Sequence, residues 1–332
     1  MEAQAVVAEA PGWVVFKAVA VPEPAAEEVV VRVQHSWISP GAERSYILGE
    51  RLDGETPRKP ADPLPFPFIP GYQKVGVVEW VGREVQGVEV GETVFATVSG
   101  AEGMFFSKGG HISPAVSHYS QIWKLPDGHA PVAFSGLVLT QVGYNCGSRP
   151  ALAAGDAVVI IGDGLIGHWA AQTLVHRGAR VMLAGKHDAR LSRFAASTQD
   201  CTVNITRDAP VQAARAWAPQ GLQAVIDTVG SVSSLESFFP LMRRDGHLVS
   251  AGFHGAAGNI DIQHLRKREL TLHAPSGWTR PRMDATLALV GRGILQTEPL
   301  ITHHFPVAQA GEAFEMILAR REPFLGVILD WE

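Results

Sequence analysis

The chain has 332 residues, a formal net charge of −5, 46% hydrophobic and 18% charged residues, a globular composition of a length that suits two domains. Its densest basic run, Arg266-Lys267-Arg268, is too short for a nucleic-acid footprint, and no apolar stretch reaches the roughly 18 residues of a membrane span. The N-terminus has no basic segment ahead of an apolar core, so no secretory signal is expected, and the two cysteines, Cys146 and Cys201, supply neither a disulfide framework nor a cysteine-based structural zinc site, which leaves a reducing cytoplasm as the default.

In chain order, the first 125 residues read as β-rich. AVVAEA (5–10), WVVFKAVAV (13–21), VVVRVQHSWIS (29–39) and VGVVEWVG (75–82) are short, β-branched and bounded by turns. Between Glu50 and Pro70 the prolines and charges predict a long surface loop rather than a helix or central strand. After Pro131 the rhythm changes. PVAFSGLVLTQVGYNCG predicts a helix, DAVVIIG (156–162) a buried strand, LIGHWAAQTLVHRGA a helix closed by Gly178, and RVMLAG (180–185) another buried strand. LSRFAAST, VQAARAWAP and LESFFPLM continue as helices, alternating with the strands CTVNIT, AVIDTVG, HLVSAG and ELTLHA. This alternation predicts a doubly wound parallel sheet of about six strands covered on both faces. A helix (282–292), the segment ITHHFPV, a helix (309–320) and a last strand, LGVILDW, follow.

The strongest motif is Gly162-Asp-Gly164-Leu165-Ile166-Gly167, which follows a buried strand and opens a helix. Gly162 permits the tight turn, Gly164 lets the backbone approach a pyrophosphate, and Gly167 lets helix and strand pack closely. The helix N-terminus supplies free N–H donors to the anion. An NAD site usually carries an acid at the end of the second strand, but here that position is Gly185, followed by Lys186, His187 and Arg190. Glycine makes room for a 2′-phosphate and the basic groups can pair with it, so the sequence favours NADP(H). Asp188 is the competing ribose-binding acid. Thr228, Val229 and Gly230 after the fourth strand, and Ala251, Gly252 and Phe253 after the fifth, are small residues expected to line the same crevice.

These features, with IPGYQKVGVVEWVG and VQGVEVGETVFA in the β-rich half, resemble the medium-chain dehydrogenase/reductase superfamily over essentially the whole chain. The resemblance implies a β-rich GroES-like catalytic domain over 1–140, a Rossmann domain over 141–276 and a C-terminal return over 277–332. Zinc members carry Gly-His-Glu where this chain has Gly71-Tyr72-Gln73, a cysteine ligand near Ser39, and a third ligand near Val138. None of the residues found here is a zinc ligand type, and the four-cysteine lobe is missing, so a zinc-free member is implied. ISPGAERS, PGYQKVG, LITHHFP and ILDW are similar to the bacteriochlorophyllide dehydrogenase branch, which has ISTGTE, PGYE, LITH and LDW.

Tyr72 and Gln73 then stand where a metal would polarise a substrate oxygen: a phenol can donate to a developing alkoxide and an amide can orient it. Glu43 is a further acid/base candidate, or the partner of an arginine such as Arg44. His111 and His118 lie in GGHISPAVSHYS, where a lone histidine is more often structural. Ser276 is expected beside the cofactor and Trp278 against the substrate. The expected activity is zinc-independent hydride transfer between NADP(H) and an alcohol or carbonyl. Reduction of an activated C=C bond, or nucleotide binding without turnover, are the alternatives. A homodimer is expected through the open edge of the sixth strand.

Overall fold

The computed structural model describes residues 1–331 other than 195, 196, 256 and 257. The chain divides into two compact units, one of Met1–Val138 with Thr297–Glu332 and one of Leu139–Gln296. The return to the first unit therefore begins at Thr297 rather than at 277, because the helix Arg280–Gly291 belongs with the second unit.

The first unit is β-rich. The hairpin of Glu2–Ala10 and Trp13–Ala20 pairs with Ile112–Ser113 in a three-stranded sheet. A second, seven-stranded sheet runs in the order Ile122–Lys124, Thr93–Ala96, Lys74–Val81, Glu28–Ile38, Gly326–Asp330, Ile301–Pro306, with Ala115–His118 also paired to Glu28–Ile38. Successive side chains of Glu28–Ile38, from Val29 through Val30 and Val31, are all buried, which is why this stretch reads as an unbroken apolar run rather than an alternating one.

The second unit holds a six-stranded sheet in the order Cys201–Asn204, Arg180–Gly185, Ala157–Ile161, Leu222–Asp227, Met242–Ser250, Thr271–His273. Every neighbouring pair is parallel. This is the doubly wound arrangement that the alternation of strands and helices predicts. Val159, Met182 and Val225 face one core, and Val158, Val181 and Ala224 face the other. Neighbouring positions on each strand are thus buried on opposite sides.

Three local expectations are corrected. The helix expected over 191–198 is the short Asp188–Leu191, and residues 195 and 196 lie outside the described residues. The segment LESFFPLM holds the end of helix Val232–Ser237 and a single tight turn at Phe239–Leu241, because Pro240 cannot continue the hydrogen-bonded ladder. The 50–70 loop contains a small hairpin, Arg51–Asp53 with Thr56–Pro57, preceded by a helix, Ala42–Ile47.

Candidate functional site

The glycine-rich turn has the geometry an anion needs. Gly162 has φ +120°, closed to most side chains, and a Cβ there would meet Thr228 Oγ1 at 2.2 Å. A Cβ on Gly167 would lie 2.0 Å from the Gly162 carbonyl oxygen, so only glycine allows helix Leu165–His176 to close on the strand. Gly164 differs: nothing lies within 4 Å of where its Cβ would be. It caps the helix without a side-chain hydrogen bond, leaving the first-turn N–H groups, through Leu165 and Ile166, for a ligand. An open face beside a helix N-terminus fits a dinucleotide pyrophosphate.

The end of the second strand departs from the sequence reading. A Cβ on Gly185 would lie 2.3 Å from Asp163 Cβ and 2.5 Å from its Oδ2, so the glycine makes room for a carboxylate of the chain itself. Asp163 is buried. Its Oδ2 accepts from Lys186 N at 2.8 Å, from His187 N at 2.7 Å, and lies 3.0 Å from His187 Nδ1. Arg190 Nη1 stands 3.5 Å from Oδ1. The donors expected to meet a 2′-phosphate are thus gathered on an internal anion, apart from the Lys186 side chain, which is exposed. Asp188, the rival ribose acid, is held by Arg207 at 2.6 and 2.9 Å and by Asn204 at 2.9 Å, and the Arg207 hydrogen bond lowers its pKa.

At the next strand ends the small residues answer to each other. A Cβ on Gly252 would lie 1.9 Å from Gly230 N, and one on Gly230 would lie 2.4 Å from Phe253 O. The loops Thr228–Gly230 and Ala251–Phe253 therefore touch backbone to backbone. Buried Asp227, absent from the sequence reading, ties the first loop down by accepting from Val229 N, Gly230 N and Ser231 N at 2.9–3.2 Å. Ser276 and Trp278 lie in the connection between strand Thr271–His273 and helix Arg280–Gly291, where the Gly277 carbonyl accepts from Gln141 Nε2 at 3.4 Å.

In the β-rich unit a chain of polar groups runs inward from Tyr72. Its hydroxyl donates to Ser39 Oγ at 2.7 Å. Ser39 N donates to Glu43 Oε1 at 2.6 Å, and Glu43 Oε2 lies 2.9 Å from His111 Nε2. His111 Nδ1 lies 2.8 Å from Ser36 Oγ, which also accepts from Trp331 Nε1 at 2.9 Å. Glu43 and His111 are buried, so the pair is shielded from water and each member completes the other. Glu43 thus pairs with His111, not Arg44, whose guanidinium stands 3.9 Å from Glu50. Reaching back to Ser39 N, Glu43 also supplies an N-terminal tether to helix Ala42–Ile47, the signal that sequence reading missed. Burial raises the Tyr72 pKa strongly, with the Ser39 hydrogen bond opposing and Glu43 adding to the rise, so the phenol stays protonated and acts as a donor.

Gly71 has φ +86°, and a Cβ there would meet His111 Nε2 at 2.6 Å. The glycine of Pro-Gly-Tyr-Gln is required by the histidine behind it. Gln73, expected to orient a substrate, is fully buried with its amide donating to the Trp37 carbonyl at 3.1 Å, so it braces the sheet. Lys74, overlooked in an apolar strand, is fully buried with Nζ donating to Thr97 O at 2.7 Å, and burial pushes its pKa down to about 7. His118 caps a single turn at Tyr119–Gln121 and stands apart from this chain of contacts.

Zinc does not fit these residues. Ser39, Tyr72 and Gln73 offer hydroxyls and an amide where zinc prefers thiolate, imidazole or carboxylate. Glu43 and His111 have ligand chemistry but turn it on each other. Among the described residues no group of three or more His, Cys, Asp or Glu side chains converges on a metal position.

Comparison with known proteins agrees with this architecture. Residues 166–291 match the zinc-binding dehydrogenase family. The 2-desacetyl-2-hydroxyethyl bacteriochlorophyllide A dehydrogenase of Rhodobacter capsulatus is 26% identical, covering 100% of this chain and 99% of its own. An alcohol dehydrogenase from Escherichia coli CFT073, complexed with NADH, superposes with a TM-score of 0.84 at 21% identity over 99% of both chains. A protein from Sinorhizobium meliloti described as a zinc-binding dehydrogenase, bound to NADP, gives a TM-score of 0.80 at 19% identity over 99% of both. Over its full length the chain is thus similar to dehydrogenases, and over residues 166–291 to the zinc-binding dehydrogenase family.

Proposed function

We propose that this protein interconverts an alcohol and a carbonyl compound by hydride transfer, without a catalytic metal. The observation that carries the reading is the Tyr72–Ser39 contact backed by Glu43 and His111. A bound nicotinamide dinucleotide supplies or accepts the hydride. Ser39 Oγ accepts from Tyr72 and keeps its own proton, and a hydroxyl that accepts one hydrogen bond donates the next more strongly. In the reductive direction Ser39 donates to the oxygen that gains charge, and Tyr72 stabilises Ser39 as its proton leaves. Glu43 fixes the Ser39 backbone, and His111 fixes Glu43. The β-rich unit thereby takes the catalytic role and the glycine-rich turn holds the nucleotide, which supports assigning these tasks to the two units.

For the choice of nucleotide, Gly185 with Lys186, His187 and Arg190 speaks for NADP(H), while the commitment of most of those donors to Asp163 weighs towards NAD(H), the choice we adopt. Within the superfamily we set the chain beside the bacteriochlorophyllide dehydrogenase branch, on the full-length likeness and on the motifs ISPGAERS and ILDW. We further propose a homodimer joined through Thr271–His273, an edge of the six-stranded sheet. A reducing cytoplasm suits the two free thiols, Cys146 and Cys201.

The test is turnover of a panel of aldehydes, ketones and enones with each reduced nucleotide, followed by product analysis. Alcohols from the carbonyl compounds, and allylic alcohols from the enones, support the proposal. Saturated ketones from the enones would transfer it to C=C reduction, and tight nucleotide binding with no oxidation would leave a binding protein.

A further inference from the structure

We propose that Asp163, the residue between the first two glycines of the nucleotide turn, selects the cofactor by excluding a 2′-phosphate and receiving the adenosine ribose hydroxyls. The inference rests on the nucleotide-binding reading given above. In folds of this kind the discriminating acid comes from the end of the second strand. Here that position is Gly185, and the volume its side chain would take is filled by Asp163 Cβ, Cγ and Oδ2 at 2.3–2.5 Å. The carboxylate here comes from the first turn instead of the second strand, and lies within 2.5 Å of where a Cβ at 185 would stand.

Its surroundings show what it displaces. Two backbone N–H groups, those of Lys186 and His187, donate to Oδ2 at 2.8 and 2.7 Å, and the His187 ring lies 3.0 Å from the same oxygen. Arg190 approaches Oδ1 at 3.5 Å. Paired N–H groups, an imidazole and a guanidinium are the donor set with which proteins hold phosphate. Asp163 occupies that set as a resident anion. An arriving 2′-phosphate would find those donors taken and a negative charge among them. A ribose diol carries no charge and brings its own donors, for which Oδ1, whose one contact among the described residues is the long one to Arg190, keeps acceptor capacity. Gly185 and Asp163 therefore form one device: a side chain at 185 would collide with the acid, and without the acid the glycine would open a phosphate pocket.

The test uses the full chain without turnover, with ADP-ribose and its 2′-phosphorylated analogue as probes, followed by calorimetry. The wild-type protein is expected to bind ADP-ribose at least about tenfold more tightly. Asp163→Asn, nearly the same shape but uncharged, should narrow the difference, and Asp163→Ala should reverse it by releasing the donors of Lys186, His187 and Arg190. Equal affinity of the wild type for the two probes, or an equal loss of both in the two variants, would overturn the inference while leaving the nucleotide site standing. Binding of neither probe would overturn the nucleotide reading and this inference with it. Circular dichroism of Asp163→Asn checks the fold, and its binding ratio decides the matter if Asp163→Ala does not fold.

Discussion

Replacing Lys74 by methionine should stabilise the protein at neutral pH, and the gain should vanish as the pH rises. The amine is fully buried, its one hydrogen bond among the described residues is to the Thr97 carbonyl, and burial brings its pKa from 10.5 down to about 7. Because the folded pKa lies below the unfolded one, the unfolded chain binds the extra proton between those two values, and the folded state is penalised there. That gap is worth about 5 kcal/mol in full, and about 4 kcal/mol at pH 7, where the folded amine is half protonated. Stability should therefore rise with pH by up to about 1.4 kcal/mol per unit between pH 7 and 10, and be flat in this contribution below pH 7. Methionine keeps the length of the stem and removes the charge, but strands the Thr97 carbonyl at a cost of about 1–3 kcal/mol. The net expectation for Lys74→Met is a gain of about 1–3 kcal/mol at pH 7 that becomes a loss near pH 10. Urea denaturation of both proteins at pH 7, 8, 9 and 9.5 measures it. A difference between the two that does not change with pH would refute the account of Lys74 as a buried, deprotonating amine.

Ser39→Ala should lower turnover by about 10²–10³, the scale of one lost donor to a developing oxyanion, and Tyr72→Phe by a smaller factor, with nucleotide affinity unchanged in both. Wild-type turnover of Tyr72→Phe would remove the phenol from the proton path. Gly71→Ala should cost about 2–4 kcal/mol, from a strained φ of +86° and a Cβ 2.6 Å from His111 Nε2, and an unchanged melting temperature would contradict that packing. Elemental analysis should find no stoichiometric zinc, and activity should survive chelators; one zinc per chain, lost together with activity, would end the metal-free proposal. Light scattering at micromolar concentration should give a dimer, against which a monomer would count.

The parallel sheet was legible because its strands are continuous apolar runs and its glycines sit at fixed offsets: Gly162 makes the tight turn and Gly167 lets the helix close on the strand, as the spacing predicts. The departures have a common cause. Gly185 advertises an empty space, and only the fold reveals that Asp163, 22 positions earlier, fills it. Gly230 and Gly252 look like accommodation for a ligand, but Gly252 is held small by the Gly230 backbone and Gly230 by that of Phe253. In Pro-Gly-Tyr-Gln the pattern points to Tyr72 and Gln73 together. They lie in the bend ahead of strand Lys74–Val81, where Gln73 is spent on the Trp37 carbonyl while Tyr72 reaches Ser39. The Glu43–His111 pair joins residues 68 positions apart, and no local pattern encodes it. One signal was available and unused: Lys74 and Asp163 are charged residues inside stretches otherwise suited to burial.

The placement of strand Gly326–Asp330 between Glu28–Ile38 and Ile301–Pro306 bears on the order in which the chain is made. Residues 139–296 form an uninterrupted unit, so synthesis delivers every strand of the nucleotide-binding sheet before the β-rich sheet has its last two. Until then the His35–Ile38 part of strand Glu28–Ile38 waits on the ribosome with one edge uncovered, beyond the stretch that Ala115–His118 pairs, a segment that invites pairing with the wrong chain. A stop codon ahead of Gly326 would leave that vacancy permanent. Its first symptom would be aggregation of the newly made chain, with the nucleotide-binding unit already complete in sequence.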